Sequence, residues 1–448
     1  MRQSSFGCSE KCSSTCGNRK HPLRPTELRR ATWCQLPKPV KRHYEKIIVA
    51  CCFLSLFVNI GLNSTSFGVY QPYIVATPGI GDAAGSLVLS TRILVSAIAV
   101  IAVNRFYDVF NMRVGLAIAM VLTGGAFFIY AAATTLPLFL LGATVGGIAY
   151  GLGGFVATTT LVNRWYKSGI GTAIGVASVG SGVAGFVVPV IATSIIERQS
   201  LNAAFAGEGV LALVLAMVVF AFLRNRPSDI GVGPHVSEKV SSGSGNGQAA
   251  RISQGIKLSK RERVLVTAAM AMLGAFSLSV TAYLAVLFTS SGFDAHLAAL
   301  LLSVAGACLT VSKFVAGELV DRIGTPRASL AIFALLVPGF IMACMSGLQI
   351  VPLAVAATVC IGSGLSLGSV GLSVWSIELS SPDDRVRSIK NYQIAYSFGG
   401  FAMNILPGPL KELTGTYVTA YVLMLALVLG TAFIILGVYR RAAKRDVA

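Results

Sequence analysis

Charged side chains are scarce in this sequence. Only 12% of its 448 residues are Asp, Glu, Lys or Arg, whereas 54% are hydrophobic. A soluble domain carries about 25% charged residues, so this chain has too few charges to cover a water-exposed surface. The hydrophobic residues instead form about a dozen runs of about 20 residues, the length that crosses a bilayer as a helix. The composition predicts an all-α integral membrane protein and excludes soluble enzymes and secreted domains.

Histidines are few, and none is placed for catalysis. His21, His43 and His235 lie in predicted tails or a predicted linker, and His296 lies at the edge of an apolar run. The sequence shows neither a cluster of His, Asp and Glu nor a nucleophile motif. We therefore predict that the protein is not an enzyme and has no metal or cofactor.

Acidic residues are scarce in the predicted spans as well. Glu208 is placed near the outer end of the sixth span, and the other acids in or beside the spans also lie near span ends. This placement favours exchange or uniport over a proton relay through carboxylates. Two alternatives stay open, because a substrate carboxylate can carry the proton itself and Glu208 can lie deeper than its position suggests.

The apolar runs predict twelve membrane spans, divided six and six by a Gly- and Ser-rich linker. Those of the first half are 47–73, 86–103, 114–132, 136–162, 169–196 and 203–223. Those of the second half are 264–288, 297–320, 328–345, 350–377, 391–410 and 417–438. The predicted domains are a disordered tail at 1–45, a bundle at 46–223, a flexible linker at 224–263, a bundle at 264–439 and a tail at 440–448.

The position of the basic residues predicts which side of the membrane each loop faces. The chain carries 36 Lys and Arg against 18 Asp and Glu, a formal net charge of +18. Twelve spans place both tails and the linker on one side of the membrane. Most of the basic residues lie in these segments and in the loops on the same side, and the loops on the opposite side hold only Arg198 and Lys411. The positive-inside rule then places both termini in the cytoplasm of a multi-pass plasma-membrane protein. Because topology explains the basic charge, we expect the lipid bilayer as partner and no nucleic acid.

The cysteines fall into two groups. Cys8, Cys12 and Cys16 repeat every fourth residue in the N-terminal tail; a metal site is conceivable there, but the spacing matches no zinc pattern well, and a disordered tail is favoured. The cysteines inside spans are expected to be small core residues without disulfides.

The two halves resemble each other in sequence. Asp108 follows the second span and Asp321 follows the eighth, 213 residues later. Gly182 and Pro189 of the fifth span match Gly400 and Pro407 of the eleventh at an offset of 218. Similar offsets indicate duplication of a six-helix unit, an organisation typical of secondary transporters with a substrate site between the halves.

The repeated loop carries a family signature. Residues 317–327 resemble the loop motif of the major facilitator superfamily, Gly-x-Leu-x-Asp-Arg-x-Gly-x-x-Arg, and the first-half copy is degraded. The resemblance covers residues 46–439 and implies twelve transmembrane helices as two pseudo-symmetric six-helix bundles that work by alternating access. It also implies a set of gating residues that stabilise the outward-open state, with topology anchoring as the alternative role. That set is Asp108, Arg113, Gly317, Asp321, Arg322, Gly324 and Arg327.

Three shorter segments resemble one branch of that superfamily. Residues 66–70, 163–167 and 226–231 are similar to segments of the oxalate/formate antiporters and monocarboxylate transporters. This resemblance implies a small carboxylate as substrate and possible operation as an antiporter. The sequence departs from the branch because the lysines typical of its first and eleventh spans are missing.

Two basic residues inside spans are candidates for anion contacts. Lys313 lies eight residues before Asp321, about 12 Å deeper along the eighth span, too deep for its ammonium to reach the interface easily. The branch often has an arginine at this position, and lysine keeps the charge but loses the bidentate geometry. Arg92 of the second span is a second candidate; alternatively, it extends to the outer headgroups.

Polar stripes on the first, seventh and eleventh spans supply further candidates. A lipid-facing helix would not expose asparagines, so these stripes meet other helices or a cavity. The candidates are Asn59, Asn63, Tyr70, Ser277, Thr281, Tyr392 and Tyr396. Hydrogen bonding between helices is the alternative role.

The sequence thus predicts a carrier, functional as a monomer, for a small organic anion. The substrate is expected to be a carboxylate. One alternative is a superfamily importer or exporter of neutral or cationic molecules, with Lys313 purely structural. An alternative of another class is a transporter-like membrane sensor.

Overall fold

The computed structural model describes residues 44–166, 170–232, 256, 258–380 and 385–445. The predicted tail at 1–43, including the motif of Cys8, Cys12 and Cys16, and most of the predicted linker lie outside the described residues. The same holds for the side chain of Asp321.

Six helices form the first half of the chain. They are α1 Tyr44–Val75, α2 Gly81–Val109, α3 Met112–Ala132, α4 Leu136–Trp165, α5 Ile170–Arg198 and α6 Leu201–Phe222. Ser200 and Asn111 cap α6 and α3, since each side chain accepts a backbone N–H of the first turn. Helix α1 is irregular, with π-helical geometry over Phe57–Thr65 and a 3-10 turn over Phe67–Tyr70.

Six helices also form the second half. They are α7 Lys260–Ser290, α8 Ala295–Ile323, α9 Thr325–Cys344, α10 Val351–Glu378, α11 Arg385–Ile405 with its continuation Pro407–Thr414, and α12 Val418–Arg445. Ser259 and Glu262 form a capping box at the start of α7. Helix α11 ends at Ile405 because a new helix begins at Pro407, which has no N–H to continue the hydrogen-bond ladder.

The all-helical architecture predicted from the sequence is confirmed. Within the described residues, 11 helices are long and apolar enough to cross a membrane. Helix α11 is not among them, because basic residues occupy its first turns. Large apolar side chains cover the outer faces of the helices, with Phe433 82% exposed and Ile101 68% exposed. Such a surface is suited to lipid rather than water.

The two halves pack against each other through α5 with α8 and through α2 with α11. Gly185 of α5 lies against Gly306 of α8, and the backbones approach closely there because neither residue has a Cβ. We name the two ends of the molecule after the orientation that the basic residues predict. The inner end is the one at which α1 begins and α12 ends, and the outer end is opposite to it.

Candidate substrate site between the two halves

Arg92 is a buried cation without a counterion in the described part of the chain. It lies eleven residues after Gly81 at the start of α2, about 16 Å from the outer end, and is only 3% exposed. This is deeper than the predicted span suggested, because α2 begins five residues before position 86. The guanidinium carbon lies 4.5 Å from the centroid of the Phe67 ring. Among the described residues it has no hydrogen-bond or ion-pair partner, and its Nη1 is fully buried.

Arg92 interacts electrostatically with three tyrosines from both halves, and we call these four residues the Arg92 group. The hydroxyls of Tyr130 of α3, Tyr150 of α4 and Tyr283 of α7 lie within electrostatic range of the guanidinium. Tyr283 also donates to the backbone oxygen of Asn404 over 2.6 Å, whereas the Tyr130 hydroxyl is buried without a partner in the described part of the chain. The cation and this free hydroxyl are therefore available to a ligand that enters between the halves.

Ser277 and Tyr396 lie close together in the second half. A Cβ placed on Gly368 of α10 would lie 2.9 Å from Ser277 Oγ and 3.2 Å from Tyr396 Oη. Tyr396 also interacts electrostatically with Tyr150, which belongs to the Arg92 group. The structure thus brings Ser277 and Tyr396 together, and the interaction with Tyr150 links this pair to the Arg92 group.

Lys313 lies in the inner half of α8. It is ten residues before Ile323, about 15 Å from the inner end of the helix, and is half-buried. Within the described ranges the ammonium has no ion-pair or hydrogen-bond partner, and no contact joins it to Arg92. Thr310, one turn earlier, packs against Gly182 of α5, so α8 faces the other half at this depth.

Asn59 and Asn63 bond within the first half rather than at the interface. Thr123 of α3 donates to Asn59 Oδ1 over 2.9 Å and accepts from Asn63 Nδ2 over 3.0 Å. Asn59 Nδ2 also donates to Ser55. This network ties α1 to α3, so the geometry favours the helix-to-helix role for both asparagines.

The other predicted substrate contacts, Tyr392, Thr281 and Tyr70, interact with partners other than Arg92. Tyr392 is buried and donates to the backbone oxygen of Leu379 over 3.1 Å, at the inner end of α10. Thr281 is half-buried, and its backbone oxygen lies against Gly68 of α1. Tyr70 is buried and donates to the Glu208 carboxylate. The interface around Arg92 therefore receives neither the Tyr392 nor the Tyr70 hydroxyl.

The predicted gating residues of the first half lie at the inner end. Asp108 is exposed and lines a cavity of about 530 Å³ together with Arg164 and Arg226. Within the described residues no ion pair joins Asp108 to an arginine. Arg113 donates from Nε to the Phe220 backbone oxygen over 2.6 Å and lies over the Phe220 ring, so it binds the C-terminal end of α6 as the helix dipole favours.

Arg322 and the other second-half gating residues whose side chains are described make only local contacts there. Arg322 pairs with Glu318 one turn before it, and both side chains are exposed. Gly324 has φ of +82° at the start of α9, a conformation that favours glycine. Gly317 has open space beside it, and Arg327 is exposed with no partner in the described part of the chain.

The outer ends of the halves are joined by contacts that the sequence did not predict. Tyr417 donates to Asp82 Oδ1 over 2.6 Å, and the backbone N–H of Ala83 donates to Glu412 over 3.0 Å. Gly408 lies against the backbone of Asp82. The first turn of α2 is thus held against the Pro407–Thr414 continuation of α11 and the residue before α12, and these contacts close the outer end of the candidate site.

Glu208 is an acid that lies buried in the first half. It is seven residues into α6, about 10 Å from its outer end, and only 7% exposed. The alternative that it lies deeper than its position suggested is therefore the one the structure favours. Its partner Tyr70 packs against Phe205, with the two tilted rings 4.3 Å apart between centroids.

Comparison with known proteins identifies similar sequences and folds. The family model for the Major Facilitator Superfamily matches residues 52–404. A protein of Chlamydia trachomatis named "Probable hexose phosphate transport protein" is 24% identical over 209 residues, which cover 46% of this chain and 45% of that protein. A protein of the same name from Chlamydia pneumoniae is 26% identical over 170 residues, 38% of this chain and 37% of its own length. The chain thus spans less than half the length of these curated relatives.

Solved structures match the fold over almost their whole length. A nucleoside transporter, NupG, superposes with a TM-score of 0.67 at 16% identity, covering 88% of this chain and 99% of its own. A D-xylose–proton symporter gives 0.62 at 15% identity, covering 87% and 96%. At this identity the likeness shows the fold alone. The oxalate/formate branch stays a prediction.

Proposed function

Since the chain belongs to the Major Facilitator Superfamily, we propose that it is a carrier that moves a small organic anion across the plasma membrane by alternating access. The observation that carries this proposal is Arg92, a buried cation at the interface of the halves that has no counterion among the described residues. A buried charge is costly unless it is paired, and in a membrane protein it marks a substrate pathway. An anionic substrate supplies the missing charge.

The neighbours of Arg92 support an oxyanion as the ligand. The guanidinium presents planar donors that match carboxylate and phosphate oxygens, and the hydroxyls of Tyr130, Ser277 and Tyr396 supply further donors. Because Tyr283, Ser277 and Tyr396 belong to the second half, a ligand held by Arg92 contacts both halves. A ligand drives the cycle only when its affinity differs between the two states, and contacts across the interface provide that difference.

Two classes of organic anion fit this donor set. Carboxylates follow from the branch resemblance, and phosphate esters are suggested by the printed names of the chlamydial relatives. Both need a cation at the site, and Lys313 is proposed as a second positive group that the ligand meets on the inner side. Neutral and cationic solutes are disfavoured, because they would leave Arg92 unpaired.

The loop residues are proposed to control the cycle. Asp108, Asp321 and the neighbouring arginines would pair when the inner ends close, and the exposed positions of Arg322 and Arg327 fit the separated state. We propose that the protein works as a monomer with both termini in the cytoplasm.

Counterflow in proteoliposomes tests the function. Vesicles loaded with unlabelled carboxylates or hexose phosphates take up the labelled acid, and we compare wild type with Arg92→Gln and Lys313→Ala. Arg105→Gln is the matched control, because Arg105 is an exposed arginine on the same helix. We expect flux of one acid class that falls at least tenfold in Arg92→Gln and persists in Arg105→Gln. Flux of neutral or cationic solutes by wild type, with no acid transported, would contradict the proposal.

A further inference from the structure

Glu208 is a buried acid inside the membrane-spanning part of the first half. It is 7% exposed, and Tyr70 donates a hydrogen bond to its Oε1. Its Oε2 is fully buried and has no partner among the described residues. One carboxyl oxygen is therefore without a hydrogen bond, at a depth of about 10 Å along α6.

Among the residues that the structure describes, no cation lies near enough to neutralise a carboxylate at this position. Helices α1, α3 and α5 pack against α6, and α6 itself carries no other charged residue. The charged groups of the packing helices lie at helix ends and are Glu45, Lys46, Arg113, Glu197 and Arg198. The other titratable groups on these helices are Tyr44, Cys51, Cys52, Tyr70, Tyr73 and Tyr130.

Arg92 is separated from Glu208 by aromatic rings. The guanidinium lies on Phe67, whose centroid is 5.7 Å from that of Tyr70, the residue that binds Glu208. In the described part of the chain no ion pair joins the two charged residues. An unpaired carboxylate in such surroundings carries a large desolvation cost, and the acid avoids that cost by keeping its proton.

We propose that Glu208 is a proton-binding site whose occupancy changes during the transport cycle. In the state described here Oε2 carries the proton, so the buried carboxyl group is neutral and avoids the desolvation cost of a charge. On release, the O–H bond breaks, the proton passes to water, and the bonding electron pair stays on the carboxylate. The ligand of this site is a proton from bulk water.

The position of Tyr70 connects this site to movement of the halves. Tyr70 ends the 3-10 turn Phe67–Tyr70, and Gly68 of the same turn lies directly against the backbone of Thr281 and Ala282 of α7. When the outer ends separate, this turn loses its cover from the second half, and water reaches the Tyr70 hydroxyl and the acid. The release step therefore rests on the proposed alternating access, whereas the proton site itself does not.

Infrared difference spectroscopy tests the site without any substrate. The full-length protein in lipid is titrated from neutral to alkaline pH, a range in which exposed carboxyl groups are already ionised, while the C=O band of neutral carboxylic acids is recorded. We expect a band that disappears on alkalinisation in wild type and in Glu197→Gln, a control at an exposed acid, and that is missing in Glu208→Gln. A titrating band that Glu208→Gln leaves intact would overturn the proposal, as would the lack of any such band in wild type.

Tyr70→Phe keeps the test decisive if Glu208→Gln does not fold. This variant retains the ring packing but removes the hydroxyl, so the band must shift in frequency if it belongs to Glu208. An unshifted band would refute the assignment.

Proton movement is then measured in proteoliposomes with a trapped pH dye during anion flux. We expect wild type and Glu197→Gln to move protons with the anion, and Glu208→Gln to retain counterflow with proton movement reduced at least tenfold. Equal proton movement in Glu208→Gln would overturn the coupling, and anion flux without proton movement in wild type would do the same. Failure of all anion flux, with the infrared band intact, would contradict the carrier function and leave the proton site standing.

Discussion

The hydroxyl of Tyr417 donates a hydrogen bond to Asp82 Oδ1 over 2.6 Å and so joins the two halves of the molecule at their outer end. The residues are 335 positions apart in the chain. Asp82 opens α2 of the first half, and Tyr417 lies just before α12 of the second. Separation of the outer ends must break this bond, so it stabilises the state in which the substrate interface is closed on that side.

Removal of this bond is expected to favour opening of the outer end. A hydrogen bond to a charged group contributes about 1.5–3 kcal/mol, so Tyr417→Phe or Asp82→Ala shifts the equilibrium about tenfold or more. Spin labels on Arg198→Cys and Leu413→Cys, with accessible native cysteines replaced, report the distance between the outer ends. Thr419→Val is the control, because Thr419 bonds to Thr414 within one half. An unchanged distance distribution in both test variants would show that the bond does not hold the outer end closed.

The closed outer end is expected to be insensitive to mild alkali. Burial and the neighbouring Asp82 carboxylate raise the pKa of the Tyr417 hydroxyl above its ordinary value of 10.0. The neutral phenol is the hydrogen-bond donor. Its contribution to stability is therefore fully present below the pKa of the unfolded protein and is lost only as the pH rises through the higher pKa of the folded protein. The label distances should therefore agree at pH 7 and pH 9. Opening over that interval would contradict the assignment of the donor.

Arg92→Met is expected to abolish transport while it stabilises the protein. The guanidinium forms no hydrogen bond within the described residues, so its removal costs no bond and relieves the desolvation of a buried charge. Thermal unfolding in detergent should show Tm raised by a few degrees, together with at least a tenfold loss of anion counterflow. A large fall in Tm would indicate that Arg92 is structural and would count against a substrate role.

Thr123→Val is expected to destabilise the first half without changing substrate preference. The variant removes the hydrogen bonds of the Thr123 hydroxyl to Asn59 Oδ1 and Asn63 Nδ2. Each buried polar group left without a partner costs about 1–3 kcal/mol of stability. A lowered Tm with an unchanged ranking of acids in counterflow competition is the expected result. A changed ranking with unchanged Tm would instead support the original prediction that the asparagines contact substrate.

Gly306→Ala is expected to impair the cycle through close packing of α5 and α8. A Cβ at Gly306 would lie 2.5 Å from the carbonyl carbon and oxygen of Gly185, and backbone atoms cannot move aside as a side chain can. We expect counterflow to fall at least tenfold in folded protein. Gly125→Ala is the matched control, because a Cβ there meets nothing within 4 Å; equal activity of the two variants would contradict this account.

The extent of the helices was predictable from the sequence, and their mutual contacts were not. The run predicted at 136–162 is α4 Leu136–Trp165, and that at 114–132 is α3 Met112–Ala132, because apolar length alone determines a span. The break before Pro407 fell inside the run predicted at 391–410, since hydropathy does not register a lost hydrogen bond.

The candidate site was predictable only in part, for physical reasons that differ from residue to residue. Arg92 was recognisable because a charge in an apolar run is rare. Tyr130 and Tyr283 were not, because tyrosines are common in membrane helices and only tertiary packing brings these two to Arg92. Tyr392 shares a helix face with Tyr396, but its hydroxyl bonds to the end of α10. The periodicity of polar residues predicts which face of a helix a side chain occupies, but it does not predict which partner that side chain contacts.

Equilibrium binding of a labelled acid to purified protein tests the central claim most directly, because it separates the site from the rocking of the halves. Wild type, Arg92→Gln and Arg105→Gln are compared with one carboxylate and one hexose phosphate. We predict saturable binding of one acid class by wild type and Arg105→Gln, with affinity reduced at least tenfold in Arg92→Gln. Equal affinity in Arg92→Gln and wild type would contradict the assignment of Arg92 as the anion contact.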